Sequence, residues 1–310
     1  MSANDADADV PDEATESPPS EGERKKGVPR DPSRAVGGTA LAEPKPPSFL
    51  ATTGAKLLAA LMAPLSELGA LAKMLGQVFF WGLRPPYRGR IFIHCMEYVG
   101  VQSIFIVGIT GFFVGAVLGL QLVNGFRDLG VESQTGSVVG FALSREIGPV
   151  FTALMVSSRA GSAMTTELGS MRVTNQIDAL ITMAVNPVQY LVVPRVVAGL
   201  FMVPILTIFF DVIGMTGAWL VCTKLLGLDS GVFLDRMRWI VDWKDVNLGL
   251  TKAAVFGVTV CLIACRQGFY AKGGAAGVGQ ATNRSVVHNA IAILLLDYLV
   301  TGIVLGEGLG

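Results

Sequence analysis

The sequence is poor in charge, in histidine and in paired cysteine. Asp, Glu, Lys and Arg make up only 15% of its 310 residues, and the formal net charge is 0. Nothing in that balance points to nucleic acid or to an acidic partner. The two histidines, His94 and His288, form no His-Glu metal pair, so no metal site is expected. There is no nucleophile elbow. No G-x-x-x-x-G-K-[ST] string occurs; the glycines from Gly273 to Gly279 have no Lys-Ser/Thr after them. The chain therefore lacks that route to ATP hydrolysis, and no cofactor of its own is expected. Cys95, Cys222, Cys261 and Cys265 sit in or beside apolar runs without metal-like pairing, as small buried side chains do.

What is abundant is apolar surface. Hydrophobic residues are 51% of the chain and the mean hydropathy is +0.55, which a soluble domain of this size rarely reaches. Residues 1–46 stand apart. They are rich in Asp, Glu, Ser, Pro and Lys, carry almost no large apolar side chains, and are expected to be a disordered cytoplasmic tail. They lack the basic start and apolar core of a secretory signal. Over 50–83, Leu58, Leu61, Leu65, Leu68 and Leu75 recur at helical spacing, which predicts a helix in the membrane interface, started or kinked at Pro64. Trp81, Arg84, Tyr87, Arg88 and Arg90 follow as an aromatic and basic cluster of the headgroup level, with a turn at Pro85-Pro86.

Spanning a bilayer takes about 20 helical residues. Five runs qualify, near 98–123, 136–158, 190–222, 247–267 and 286–305. The third contains Pro194 and Pro204 and is expected to tilt or kink. The fold class is thus an all-α integral membrane protein: an interfacial helix, five spans, and a patterned segment at 159–189 between the second and third. Arg84, Arg88, Arg90, Arg159, Arg172, Arg266, Lys272 and Arg284 would lie on one side. That set is larger than the opposing Arg127, Lys224, Arg236, Arg238 and Lys244, so the first side, with the N-terminus, is placed in the cytoplasm.

Three groups of residues are candidates for function. Gly111, Gly115 and Gly119 form a small-xxx-small face for close helix approach, within the chain or between two copies. In 159–189, Val173, Ile177, Leu180, Ile181 and Ala184 share one helical face, with Asn186-Pro187 ending the helix; such a helix rests either on a soluble partner or on the bilayer. Finally, Arg145, Glu146, Asp211 and Asp297 fall at similar depth when counted along their spans. Each is costly there and needs a partner. Arg145 and Glu146 point about 100° apart, so Arg145 is expected to pair with Asp211 or Asp297, and Glu146 to face a cavity or a dimer seam.

The strings from Arg145 to Val150, Ala153-Leu154-Met155, Arg159-Ala160-Gly161, Glu167 to Thr174, Gln176 to Leu180, Asn186-Pro187 and Tyr190 to Arg195 closely resemble the MlaE/YrbE family of ABC permeases of the Mla and Mce lipid-transport systems. The match is densest over 141–200 and looser from about 55 to 305, so residues 47–310 would be one permease domain. The resemblance implies a bacterial inner-membrane permease that dimerises with a second copy or a related chain. It implies a cytoplasmic ABC ATPase that binds ATP, and a periplasmic MCE-domain protein above the dimer. It implies phospholipid or a related lipid in an apolar cavity, in service of outer-membrane lipid asymmetry. The stretch matching 165–181 would contain the coupling helix, with Glu167, Arg172 and Asp178 toward the ATPase. An ion-coupled secondary transporter and a non-transporting membrane scaffold are the alternative classes.

Overall fold

The computed structural model describes residues 69–82, Arg84 and 89–307. The tail at 1–46, Pro64, Pro85-Pro86 and the first part of the expected interfacial helix lie outside the described residues. Helix α1 covers 69–82, within that expectation. Among the described residues there is no strand. Five helical stretches are long and apolar enough to cross a membrane: Gly89–Arg127, Glu132–Val173, Val188–Leu225, Trp243–Phe269 and Gly274–Val304. All five expected spans are present, and each is longer than its apolar run. Helices continue through polar residues at their ends because intrahelical hydrogen bonds remain available there.

The spans are segmented. The first comprises α2 (Gly89–Val99) and α3 (Ile104–Arg127), joined through a 3-10 turn at Val101–Ser103. The second comprises α4 (Thr135–Ala142), α5 (Gly148–Val156) and α6 (Ser162–Val173), linked by π turns at Leu143–Ile147 and Ser157–Gly161. The third is α8 (Val193–Leu220), entered through a π turn at Val188–Val192. Two of these π turns directly precede a proline-bearing helix start, Gly148-Pro149 and Val193-Pro194. Proline has no N–H to give to the carbonyl four residues back and its ring crowds that carbonyl, so a widened turn relieves both problems.

Helix α10 (Trp243–Phe269) runs through the middle of the bundle and α11 (Gly274–Glu307) lies at its edge: 61% of the apolar window of α10 is buried against 11% for α11. Helix α3 packs along α8. Gly111 faces the Phe210 carbonyl and ring, Gly115 the backbone of Gly214, and Gly119 the Cys222 thiol and Ala218. A Cβ on Gly111 would come within 2.9 Å of that carbonyl oxygen and one on Gly119 within 2.9 Å of the Cys222 sulfur. The small-residue face is therefore an intrachain contact with α8. Close backbone approach replaces the hydrophobic drive that lipid removes.

The segment 159–189 departs from expectation. It is not one amphipathic helix between spans: residues 159–173 continue the second span, and a short helix α7 (Gln176–Thr182) follows a break. The break is at Asn175, whose φ of 59° is left-handed and ends α6. Asparagine tolerates that conformation better than most side chains. The single face is split as a result: Ile177 is buried, while Val173, Ile181 and Ala184 are exposed. Asn186 opens the next span rather than closing this helix. Its Oδ1 accepts hydrogen bonds from the backbone N–H groups of Val188 (2.9 Å) and Gln189 (3.4 Å), as helix-starting asparagines do.

Candidate functional site

The strongest concentration of charge inside the bundle centres on Lys252, one lysine in the apolar run of α10. Its side chain is completely buried. The ammonium donates to Glu146 of the second span, to Asp297 of α11 at 3.0 Å and to the Thr301 hydroxyl at 2.7 Å. An ammonium has three protons to give, and here it has three acceptors. A lone cation in the hydrocarbon costs at least about 2.5 kcal/mol on insertion scales, and two carboxylates and a hydroxyl offset that cost.

The network extends to one end of the bundle. Arg145 lies 3.8 Å from Glu146 and 3.5 Å from Asp245 in the first turn of α10. Its guanidinium also sits 5.2 Å from the Phe141 ring centre. The charges therefore alternate in one continuous ladder, Asp245, Arg145, Glu146, Lys252, Asp297, across three spans. Fully ionised, two cations face three carboxylates. The π turn at Leu143–Ile147 carries both Arg145 and Glu146, and one residue serves each direction of the ladder.

This arrangement corrects the expected pairing. Arg145 takes Asp245, and Asp297 is taken by Lys252. Asp211 lies beside Gly148, with Oδ1 buried and without a hydrogen bond among the described residues. Glu146 turns inward to Lys252 and also touches Arg145, so neighbouring positions do meet through long side chains across the widened turn. Sequence reasoning missed two members. Asp245 lies ahead of the apolar run near 247–267, whereas the helix itself starts at Trp243. Lys252 is hidden by the apolar average of the run 247–267, although a single lysine inside a span is itself a signal of a functional group.

An apolar groove of about 370 Å³ is lined by Phe113, Val114, Val117, Leu118 and Gln121 of α3 and by Ile147 and Phe151. Ile147 follows Glu146 directly, so the groove wall and the ladder share the π turn. A lipid chain fits such a surface chemically; Gln121 is the polar side chain in its lining.

The three residues expected on a coupling helix are placed differently from one another. Glu167 on α6 pairs with Arg195 of α8 at 2.8 Å; Arg195 is almost buried and also donates to the Leu191 carbonyl. Arg172 and Asp178 pair with each other at 2.6 Å, across the Asn175 break. Both pairs form within the chain, with Glu167, Arg172 and Asp178 still partly exposed. The outer surface around them is partly apolar: Ile181 and Met183 are 56% and 64% exposed. Arg159, in the π turn that leads into α6, donates to the Tyr98 carbonyl at 2.6 Å and bonds Gln102 and Ser103, tying that turn to the break between α2 and α3. The four cysteines are free, and no group of three or more His, Cys, Asp or Glu fit for a metal occurs among the described residues.

Residues 92–303 match the family described as Permease MlaE. The chain belongs to the MlaE permease family. Over 214 residues it is 42% identical to the intermembrane phospholipid transport system permease protein MlaE of Haemophilus influenzae, covering 69% of this chain and 82% of that one. It is 41% identical over 219 residues to a probable ABC transporter permease protein of Rickettsia felis, covering 71% and 85%. It is also 32% identical over 226 residues to the chloroplastic protein TRIGALACTOSYLDIACYLGLYCEROL 1 of Arabidopsis thaliana, covering 73% and 65%. The MlaE match begins within α2 and ends near the close of the fifth span, so it takes in the whole ladder.

Proposed function

We propose that this chain is the membrane permease subunit of an ABC transporter that moves phospholipid, or a closely related lipid, between the inner membrane and a periplasmic MCE-domain carrier. The observation that carries the reading is the open apolar groove of α3 and α5 set against the charged ladder at Glu146, in a chain of the MlaE permease family. The groove offers a path for acyl chains, and the ladder offers a polar element that a moving headgroup can meet inside the bilayer. ATP is bound and hydrolysed by a separate cytoplasmic ATPase, and a second permease copy completes the lipid cavity.

In this reading the end carrying α6 and α7 faces the cytoplasm, as the excess of Arg and Lys there supports. The surface offered to the ATPase is the exposed side of α7 with Ile181 and Met183, held in place by the Arg172–Asp178 pair. Glu167 acts one layer further in, linking that surface to α8 through Arg195.

The ladder also satisfies what an ion-coupled transporter would need, and one experiment separates the two readings. The chain is reconstituted in vesicles with its ATPase and carrier, and transfer of labelled phospholipid to the carrier is followed. Transfer that needs ATP and ignores a protonophore is the expected result. Transfer that runs without ATP and collapses with the protonophore would replace the ABC reading by the ion-coupled one. Mass spectrometry of lipid retained by the purified complex identifies the cargo.

A further inference from the structure

Helix α9 (Ser230–Ile240) lies outside the lipid path and packs only by its inner face. Phe233 and Met237 are buried against α4, where the glycines at 136 and 140 leave room. The Ser137 hydroxyl donates to the Arg236 carbonyl at 3.0 Å, and the Trp219 indole N–H donates to the Ser230 hydroxyl at 3.0 Å. The helix is thus pinned at its start and along its length. Its outer side carries what a water-facing helix avoids: Trp239 is 77% exposed, and Trp243, the first residue of α10, is 75% exposed.

The charges around it are near balance in number, but the cations are not held in ion pairs among the described residues. Residues 229–245 hold Asp229, Asp235, Asp242 and Asp245 against Arg236, Arg238 and Lys244. Three of the four aspartates are already engaged. Asp229 caps α9 through the Val232 N–H, Asp242 and Asp245 form the capping box of α10, and Asp245 also pairs with Arg145. Arg236, Arg238 and Lys244 are exposed, and none of the three has an ion pair among the described residues. Exposed tryptophan beside unpaired Arg and Lys is the chemistry of the lipid headgroup layer.

We propose that α9 and the first turn of α10 form an interfacial anchor, with Trp239 and Trp243 seated among the phospholipid headgroups and glycerols of the leaflet opposite α6 and α7, and that this anchor sets the depth of the charged ladder. Lys252 follows Trp243 by nine positions, about 14 Å along the helix. A hydrocarbon core of about 30 Å puts its midplane about 15 Å from that interface. The anchor therefore holds Lys252 at mid-bilayer, and Asp245 near the surface, where the ladder begins. α9 joins the third span to the fourth and packs on the start of the second, so it fixes all three at once.

The test uses the full chain in phosphatidylcholine vesicles whose acyl chains are brominated either near the headgroup or near the chain end. Shallow bromines should quench the tryptophan emission more than deep ones, and the Trp239→Ser/Trp243→Ser variant should lose most of that difference. A spin label at Thr251→Cys in a Cys95→Ala background reads the depth of the ladder; it should shift in the same double variant. Equal quenching by the two lipids would overturn the proposal. So would a double variant that loses quenching by aqueous iodide instead, because the tryptophans would then face water. Tryptophans shielded from iodide only after a purified MCE-domain protein is added would assign the face to that protein and equally overturn it. An unchanged label depth would refute the depth-setting role.

Discussion

Glu167 and Arg195 face each other at 2.8 Å, one on α6 and one on α8, and Arg195 is nearly out of reach of solvent. Glu167 is thus engaged within the chain, while its side chain stays half-exposed. Removing its charge leaves a cation short of its counter-charge beside Cys95 and Tyr98. Glu167→Gln is expected to lower unfolding stability by about 1–3 kcal/mol. Arg195→Glu combined with Glu167→Arg should recover part of that loss. Thermal unfolding in detergent gives the answer; a Glu167→Gln chain as stable as the parent would release Glu167 for a surface role.

Lys252 makes a stronger demand. Breaking a buried pair by deleting one member costs about 3–5 kcal/mol, because the remaining charges stay buried. Lys252→Ala leaves Asp297 without its cation and Glu146 with Arg145 alone, 3.8 Å away, and should yield little folded protein. Lys252→Met with Glu146→Gln and Asp297→Asn removes the charges together and should recover much of the stability. Lipid transfer by that triple variant then separates two roles. A stable chain that fails to move lipid makes the ladder part of the transport path; a stable chain that moves lipid normally makes it a fastening between spans.

The glycine face gives a prediction with an internal control. Gly115 lies on the backbone of Gly214, so Gly115→Leu has no space between α3 and α8 and should prevent a monodisperse chain from forming. Gly125, near the end of the same helix, has nothing within 4 Å of where a Cβ would stand, and Gly125→Ala should be harmless. Size-exclusion profiles distinguish this from a dimer face, for which Gly115→Leu would give an intact monomer.

The five spans were legible because lipid demands long apolar runs, and those need no knowledge of partners. Their ends were not, since polar residues such as Asp245 extend a helix once capping and ion pairs satisfy them. The ladder was half legible for the same reason. Arg145, Glu146 and Asp297 stand out as charges in apolar runs, but which carboxylate each cation meets depends on three-dimensional register, and the π turn before Pro149 alters that register. The break at Asn175 was invisible because the residue pattern continues through it; only the backbone conformation changes. Gly111, Gly115 and Gly119 announced close packing without naming the partner helix, and α8 supplies it with small residues of its own at Gly214 and Ala218.

Arg172 and Asp178 bear on how α7 is held. They are six positions apart, which is not a spacing that brings side chains together on a continuous helix. They meet at 2.6 Å because the left-handed Asn175 turns the chain between them. The pair is part-exposed, so its own contribution to stability is small, about 0.2–1 kcal/mol. Its consequence is geometric: it fixes the angle at which α7 leaves α6. Asp178→Lys should therefore reduce permease-dependent ATP turnover while leaving insertion and unfolding temperature nearly unchanged. The same loss would follow if Asp178 touched the ATPase directly, and the charge swap tells the two apart. Arg172→Asp with Asp178→Arg rebuilds the internal pair but presents each charge in the wrong place to a partner. Recovery of ATP turnover in the swap, read as a coupling energy from the four-member mutant cycle, is the expected outcome. A swap as inactive as Asp178→Lys alone would mean that the ATPase reads these two charges itself.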